Sequence, residues 1–108
     1  MKLLALKPRW LKRQDSHNFL NVDSIIEADG VCFLCPVCFV SNNGSVGTHS
    51  VICWAPSVPQ DTLPTPGRWT MQGTSFDDLT LVAGSSSVQL QADCHAHFFV
   101  RGGQIQLC

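Results

Sequence analysis

Cys35-Pro36-Val37-Cys38 and Cys94-His95-Ala96-His97 are the stretches of this sequence whose residue types and spacing best suit chemistry. Two thiolates three positions apart in a tight turn reach one ion together, and the intervening proline stiffens the turn. A Cys-x-x-His on a second turn adds two donors and completes the tetrahedron of thiolate and imidazole ligands that structural zinc prefers. The ligand set read from the sequence is therefore Cys35, Cys38, Cys94 and His97, with zinc as the cofactor. The interval from Cys38 to Cys94 is far longer than in a zinc finger, so the ion would tie distant parts of the chain together.

Other residues compete for these roles. Cys32 stands three positions before Cys35 and makes a rival Cys-x-x-Cys pair. In an extended strand its side chain shares a face with Leu34, which makes it a core residue. Cys53, between Ile52 and Trp54, reads as core by context, and Cys108 as exposed or paired along the last strand. His49 is polar, opens an apolar strand and has four readings. It replaces His97 or Cys94 in the metal shell, hydrogen-bonds a ligand thiolate, acts as a base beside an open metal position, or is an ordinary strand-edge histidine. The expectation is that His97 binds and His49 does not. Cys94 and His97 share one turn, whereas His49 lies eleven residues past Cys38 and comes from a separate strand. His95 is offset by one residue from His97, and His17 sits in a polar loop. Asp77 and Asp78 are adjacent, so on a strand they point to opposite faces. They suit a turn cap better than general acid/base work. No GxSxG, P-loop, HExxH or Rossmann glycine pattern is present.

The elements that must position these residues are short. Residues 2–13 mix apolar and basic side chains, as in an edge strand. Asp23 or Ser24 can cap a short helical turn through Ile25–Ala28, which Gly30 ends. Val31–Cys35 has strand length, Ser41–Ser45 has turn chemistry, and His49–Trp54 favours a strand. Residues 55–67 carry four prolines and read as a stiff, extended loop. Strands are expected at Arg68–Gln72 and Asp78–Val82 around a Gly73–Asp77 turn. A further turn at Gly84–Ser87 leads to an alternating strand at Val88–Gln91. Phe98–Val100 and Gln104–Leu107 form a hairpin around Gly102-Gly103. The expected fold is mostly β: one domain over residues 1–108, an antiparallel sheet, sandwich or partly open barrel clasped by zinc, with one short helix near residues 23–29.

Composition narrows the function classes. Hydrophobic residues make up 44% of the 108 positions, which argues against disorder. Five of the seven basic residues lie in the first thirteen positions, and all eight acidic ones at or beyond Asp15. From position 14 onward the balance is two positive against eight negative charges, a net of −6. Such a body does not favour nucleic acid, because that binding runs on phosphate neutralisation. The basic start reads as a solvated leader that becomes the first strand. No apolar run approaches the roughly 20 residues that span a bilayer. Charges and Pro8 interrupt the opening MKLLALKPRWLKR where a signal peptide needs a continuous apolar stretch. The expected compartment is the cytoplasm, where six cysteines stay reduced and favour metal over disulfides.

Several longer stretches carry a resemblance. They are Glu27-Ala28-Asp29-Gly30-Val31-Cys32-Phe33-Leu34-Cys35-Pro36-Val37-Cys38, then Gly47-Thr48-His49-Ser50-Val51-Ile52-Cys53-Trp54, then Pro66-Gly67-Arg68-Trp69. They continue with Asp77-Asp78-Leu79-Thr80-Leu81 and Cys94-His95-Ala96-His97-Phe98-Phe99-Val100-Arg101-Gly102-Gly103. In order and spacing the chain resembles, over about residues 27 to 105, a family of small, uncharacterised zinc-binding proteins encoded by bacteriophages and prophages. The resemblance implies a zinc module centred on Cys35, Cys38, Cys94 and His97 with His49 nearby, and a viral origin within a bacterial host cell. It supplies no activity and does not extend over residues 1–26. The family pattern often has glycine in place of His95, which weakens His95 as a ligand.

The expected function is a non-enzymatic structural or protein-interaction module stabilised by zinc, acting through a protein partner. A complete four-ligand shell leaves no position for substrate. The alternative is a metal-dependent hydrolase in which one of the four is not a ligand and His49 serves the chemistry at an open position.

Overall fold

The computed structural model describes residues 1–82, 88–89, 94 and 96–107. Its strands are all antiparallel. Four of them, β1 (Arg9–Arg13), β2 (Phe19–Val22), β3 (Gly30–Leu34) and β4 (Ser50–Trp54), form one sheet in the order β2-β1-β3-β4. A short helix, α1 (Pro36–Ser41), lies between β3 and β4. A two-stranded ribbon joins β5 (Thr70–Gln72) to β6 (Thr80–Val82). The last sheet runs β7 (Val88–Gln89), β8 (His97–Arg101) and β9 (Gln104–Leu107) in that order.

Alternation along β3 sends side chains into two separate clusters. Val31 and Phe33, with Cys35 just beyond the strand, join the main core together with Trp10, Val51, Leu81, Phe98 and Val100. Cys32 goes to a second cluster with Leu11, Trp54 and Val58. Both faces of the strand are therefore covered, which explains why Val31–Leu34 reads as an unbroken apolar run. Phe33 and Phe98 meet edge to face across the main core, with ring centroids 5.9 Å apart. This contact links the first sheet to the last.

The stiff loop expected at residues 55–67 covers the second cluster. Arg68 organises it with all five guanidinium N–H donors. They reach the carbonyls of Val58, Pro59, Thr62, Pro64 and Gly67 at 2.6–2.9 Å. The Trp54 indole N–H donates to the Leu63 carbonyl at 2.9 Å and fastens the loop to the sheet. Gly30 lies beneath that tryptophan, and a Cβ there would come within 2.6 Å of the indole ring.

The Gly102-Gly103 hairpin forms as expected, with φ of 54° and 74° at its two central residues, as a primed turn requires. Asp78 caps the β5–β6 turn, as its sequence context suggested. Its carboxylate accepts hydrogen bonds from the Thr74 and Ser75 backbone N–H groups and from the Thr74 hydroxyl. Those bonds hold its pKa below the ordinary value.

Two local expectations are corrected. Residues 24–28 make a turn closed by hydrogen bonds from Glu27 N to Ser24 O and from Ala28 N to Ile25 O. The α-helix is instead Pro36–Ser41, where proline takes the first helical position. β1 is not an edge strand but lies between β2 and β3. The residues before it are not a solvated leader, because Leu3–Leu6 form a 3-10 turn that fully buries the side chains of Leu3 and Leu6. Met1 and Leu3 also bond to Ile105 and Gly103 of the last hairpin. The expected turn at 84–87, the end of the 88–91 strand, His95 and Cys108 lie outside the described residues.

Candidate metal centre

Cys35 ends the apolar run of β3 and serves as the N-cap of α1, with φ −60° and ψ 122°. Its carbonyl accepts the first helical bond, from Phe39 N at 2.9 Å. Cys38 follows three residues later, one helical turn on, where side chains three apart become neighbours. The Cys-Pro-Val-Cys sequence thus places both sulfurs by local geometry.

The β3–β4 register delivers His49. Leu34 pairs with Ser50, so the next rung sets Cys35 against His49, and the Cys35 N–H donates to the His49 carbonyl at 2.9 Å. The loop before it is pinned as well. The Thr48 hydroxyl donates to the Gly44 carbonyl at 2.7 Å and accepts from the Asn42 side-chain amide at 3.2 Å. Cys94 comes from the other sheet, in a turn just before the fully covered Ala96 and β8.

The three sulfurs and a ring nitrogen of His49 all lie within 4.8 Å of one another. Cys35 Sγ is 3.9 Å from Cys94 Sγ, and His49 Nε2 is 3.4 Å from Cys94 Sγ. A tetrahedral ion with metal–sulfur bonds of about 2.3 Å and metal–nitrogen bonds of about 2.0–2.1 Å requires edges of about 3.8 Å and 3.5 Å. Both measured edges agree, so these four residues can hold a metal ion.

Electrostatics of the cluster favour a charged sulfur at Cys94. Burial raises its pKa. Hydrogen bonds from His49, the Ala96 backbone and the other two cysteines outweigh that effect and bring it to about 7. Cys38 is pushed up to about 11 by burial and by its cysteine neighbours, which resist a second negative charge beside them. A bound cation reverses that resistance, since thiolates are the form that ligates.

His97 is not among the four. It is the first residue of β8, and alternation along that strand turns Phe98 and Val100 into the core. His97 therefore falls on the other face, with Phe99 and Arg101. At His97 the chain is already in the extended strand β8, and His49 is the histidine that lies with the three cysteines. Cys32 and Cys53 lie apart from the group. Cys32 is buried in the second cluster, where the Arg9 guanidinium approaches its sulfur at 3.7 Å. Cys53 is buried in the main core, and burial pushes its thiol pKa well up. His17 lines a separate concavity of about 190 Å³ with Phe19, Trp54 and Leu63.

Fold and site together define a small, mostly β protein with a three-cysteine, one-histidine cluster suited to a metal ion. Comparison with known proteins adds nothing to that class: no family model, curated protein or solved structure matches the chain. No helix among the described residues is long and apolar enough to cross a membrane.

Proposed function

We propose that this chain is a zinc-stabilised structural or protein-interaction module whose ion is held by Cys35, Cys38, His49 and Cys94. The observation that carries the reading is the match of the 3.9 Å and 3.4 Å edges to a tetrahedral zinc shell. The donor set agrees, since three thiolates and one imidazole suit zinc rather than magnesium or calcium. With four protein donors the shell is closed, and a closed shell has a folding role. The hydrolase alternative needs an open position or a free His49, and a shell that uses His49 offers neither. The partner is a protein, since the net charge of −6 from position 14 onward repels nucleic acid. Origin in a bacteriophage or prophage, with the bacterial cytoplasm as location, belongs to the same proposal and rests on the resemblance over residues 27 to 105.

The test is metal content and coordination. Protein purified without a metal-binding tag should carry about one zinc per chain, and cobalt substitution should give the intense visible bands of a tetrahedral thiolate site. Less than about half an equivalent of zinc in a folded, reduced sample would overturn the proposal. Structural zinc is worth roughly 10–16 kcal/mol in small peptides, against a whole-domain stability of about 5–15 kcal/mol. Chelation should therefore lower the chain's melting temperature severely.

A further inference from the structure

Cys35, just past β3, and Cys94, shortly before β8, bring their sulfurs to 3.9 Å although they are 59 residues apart in sequence. We propose that Cys35 and Cys94 are a peroxide-sensitive pair whose oxidation to a disulfide expels the metal and turns the clasp into a covalent link. This rests on the zinc reading above.

The geometry supplies each requirement. Cys94 and Cys38 are half-buried and the neighbouring His49 is exposed, so a small oxidant reaches Cys94 from the side these residues share. Cys35 is fully buried behind it and is protected from direct attack. Its sulfur nevertheless lies 3.9 Å from that of Cys94. A disulfide needs a separation of about 2.05 Å, so the two atoms close by about 2 Å. Cys94 lies in a turn rather than inside a strand, so its sulfur can move without breaking a ladder. Cys32 and Cys53 are buried apart from the group and do not compete.

The chemistry balances in two steps. The Cys94 thiolate attacks hydrogen peroxide, the O–O bond breaks, a sulfenic acid forms and hydroxide leaves. The Cys35 thiolate then attacks the Cys94 sulfur, the S–S bond forms and a second hydroxide leaves. Two thiolates lose two electrons, and one peroxide becomes two hydroxides. Only Cys38 and His49 then remain as donors, and two ligands hold zinc far more weakly than four. A dithiol reductant reverses the change and permits reloading.

The experiment uses reduced, zinc-loaded full-length chain treated with one equivalent of hydrogen peroxide. A colorimetric chelator follows zinc, intact mass follows the loss of two hydrogens, and peptide mapping locates the bond. Metal-free reduced protein is treated in parallel. The expected result is about one zinc released per disulfide, a Cys35–Cys94 bond in both samples, and recovery of zinc binding after reduction. A loaded protein that keeps its zinc, or that links Cys35 to Cys38 instead, overturns this inference and leaves the zinc proposal intact. Conversion of Cys94 to sulfinic acid without a disulfide overturns it as well. A reduced protein that never takes up zinc overturns the zinc reading and the metal-release half of this inference together. The metal-free sample then decides the disulfide half by itself.

Discussion

Replacing His49 with alanine should cost the protein its zinc, whereas His97→Ala should not. The magnitude follows from the site. A structural zinc contributes roughly 10–16 kcal/mol through four ligands, so one ligand carries about 2.5–4 kcal/mol. That corresponds to a loss of about 10²- to 10³-fold in affinity, at 1.4 kcal/mol per factor of ten. His49 is exposed, and its ring nitrogen lies 3.4 Å from the Cys94 sulfur. Removing it from metal-free protein should therefore change stability by no more than about 0.5 kcal/mol, as for an ordinary surface substitution.

The contrast between loaded and metal-free protein is the diagnostic. With zinc in excess, a 100-fold weaker site forfeits about 2.7 kcal/mol of linked stability. For a domain of this size that lowers the melting temperature on the order of 10–20 °C, and metal-free melts should nearly coincide. His97→Ala removes a half-buried side chain on the outer face of β8, so its chelator titration should overlay that of the parent. Competition with a chromophoric chelator, followed by thermal melts with and without zinc, measures both effects. Weakened zinc binding in His97→Ala together with parental affinity in His49→Ala would refute the assignment of the fourth ligand.

Three further substitutions probe the frame around the site. Cys32→Ser should retain a full equivalent of zinc while losing about 1–3 kcal/mol in urea unfolding, because it buries a hydroxyl beside Leu11 and Trp54. Arg68→Lys keeps the charge but at most three of the five donors that hold the 58–67 carbonyls. A cost of about 1–3 kcal/mol is expected, visible as a lower urea midpoint and altered Trp54 fluorescence. Asp78 has a folded pKa below its ordinary 3.8, so its stabilisation is present above the unfolded value and is lost as pH falls through the folded one. Asp78→Asn should therefore lower stability near neutrality and flatten the acid limb of the stability curve, as pH-dependent melts would record.

Much of the site was legible because its geometry is local. Cys35-Pro36-Val37-Cys38 carries its own spacing, and proline at the first helical position fixes the turn. Cys94 was legible by type and by its place before an apolar strand. Alternation also decides between the rival cysteine pairs, since Cys35 follows Val31 and Phe33 into the main core while Cys32 turns away. The fourth ligand was hidden because it depends on pairing. His49 lies opposite Cys35 only once Leu34 is known to face Ser50, and sequence separation alone makes it look remote. The summed position is the missing signal: matching Val31–Leu34 against Ser50–Cys53 in antiparallel register carries His49 to Cys35 on the next rung. His97 misled for the converse reason, because a short spacing suggests a turn where β8 already begins. The N-terminal segment misled because five basic residues dominate a stretch whose Leu3, Leu6, Trp10 and Leu11 are buried.

A metal ion held by the four residues of the cluster would have two mechanical roles. Cys35, Cys38 and His49 all belong to the connection between β3 and β4, so a metal bound to them fixes the end of one hairpin and the helical turn within it. Cys94 alone lies beside the C-terminal sheet, and a bond from it to the ion would close a loop of 59 residues. In a chain-entropy treatment a cross-link of that length removes about 4 kcal/mol of freedom from the unfolded chain. A loop closed between Cys35 and His49 removes about 3 kcal/mol. Loop closure grows only slowly with length, so the larger consequence of Cys94 is its location. The contacts joining the two sheets, Phe33 on Phe98 among them, lie on the same face of β3 as Cys35. A bound ion would therefore fasten the rim of a core that apolar packing fills from within. In a domain of 108 residues, where burial leaves a narrow margin, that rim is where loss of the metal should first release one sheet from the other.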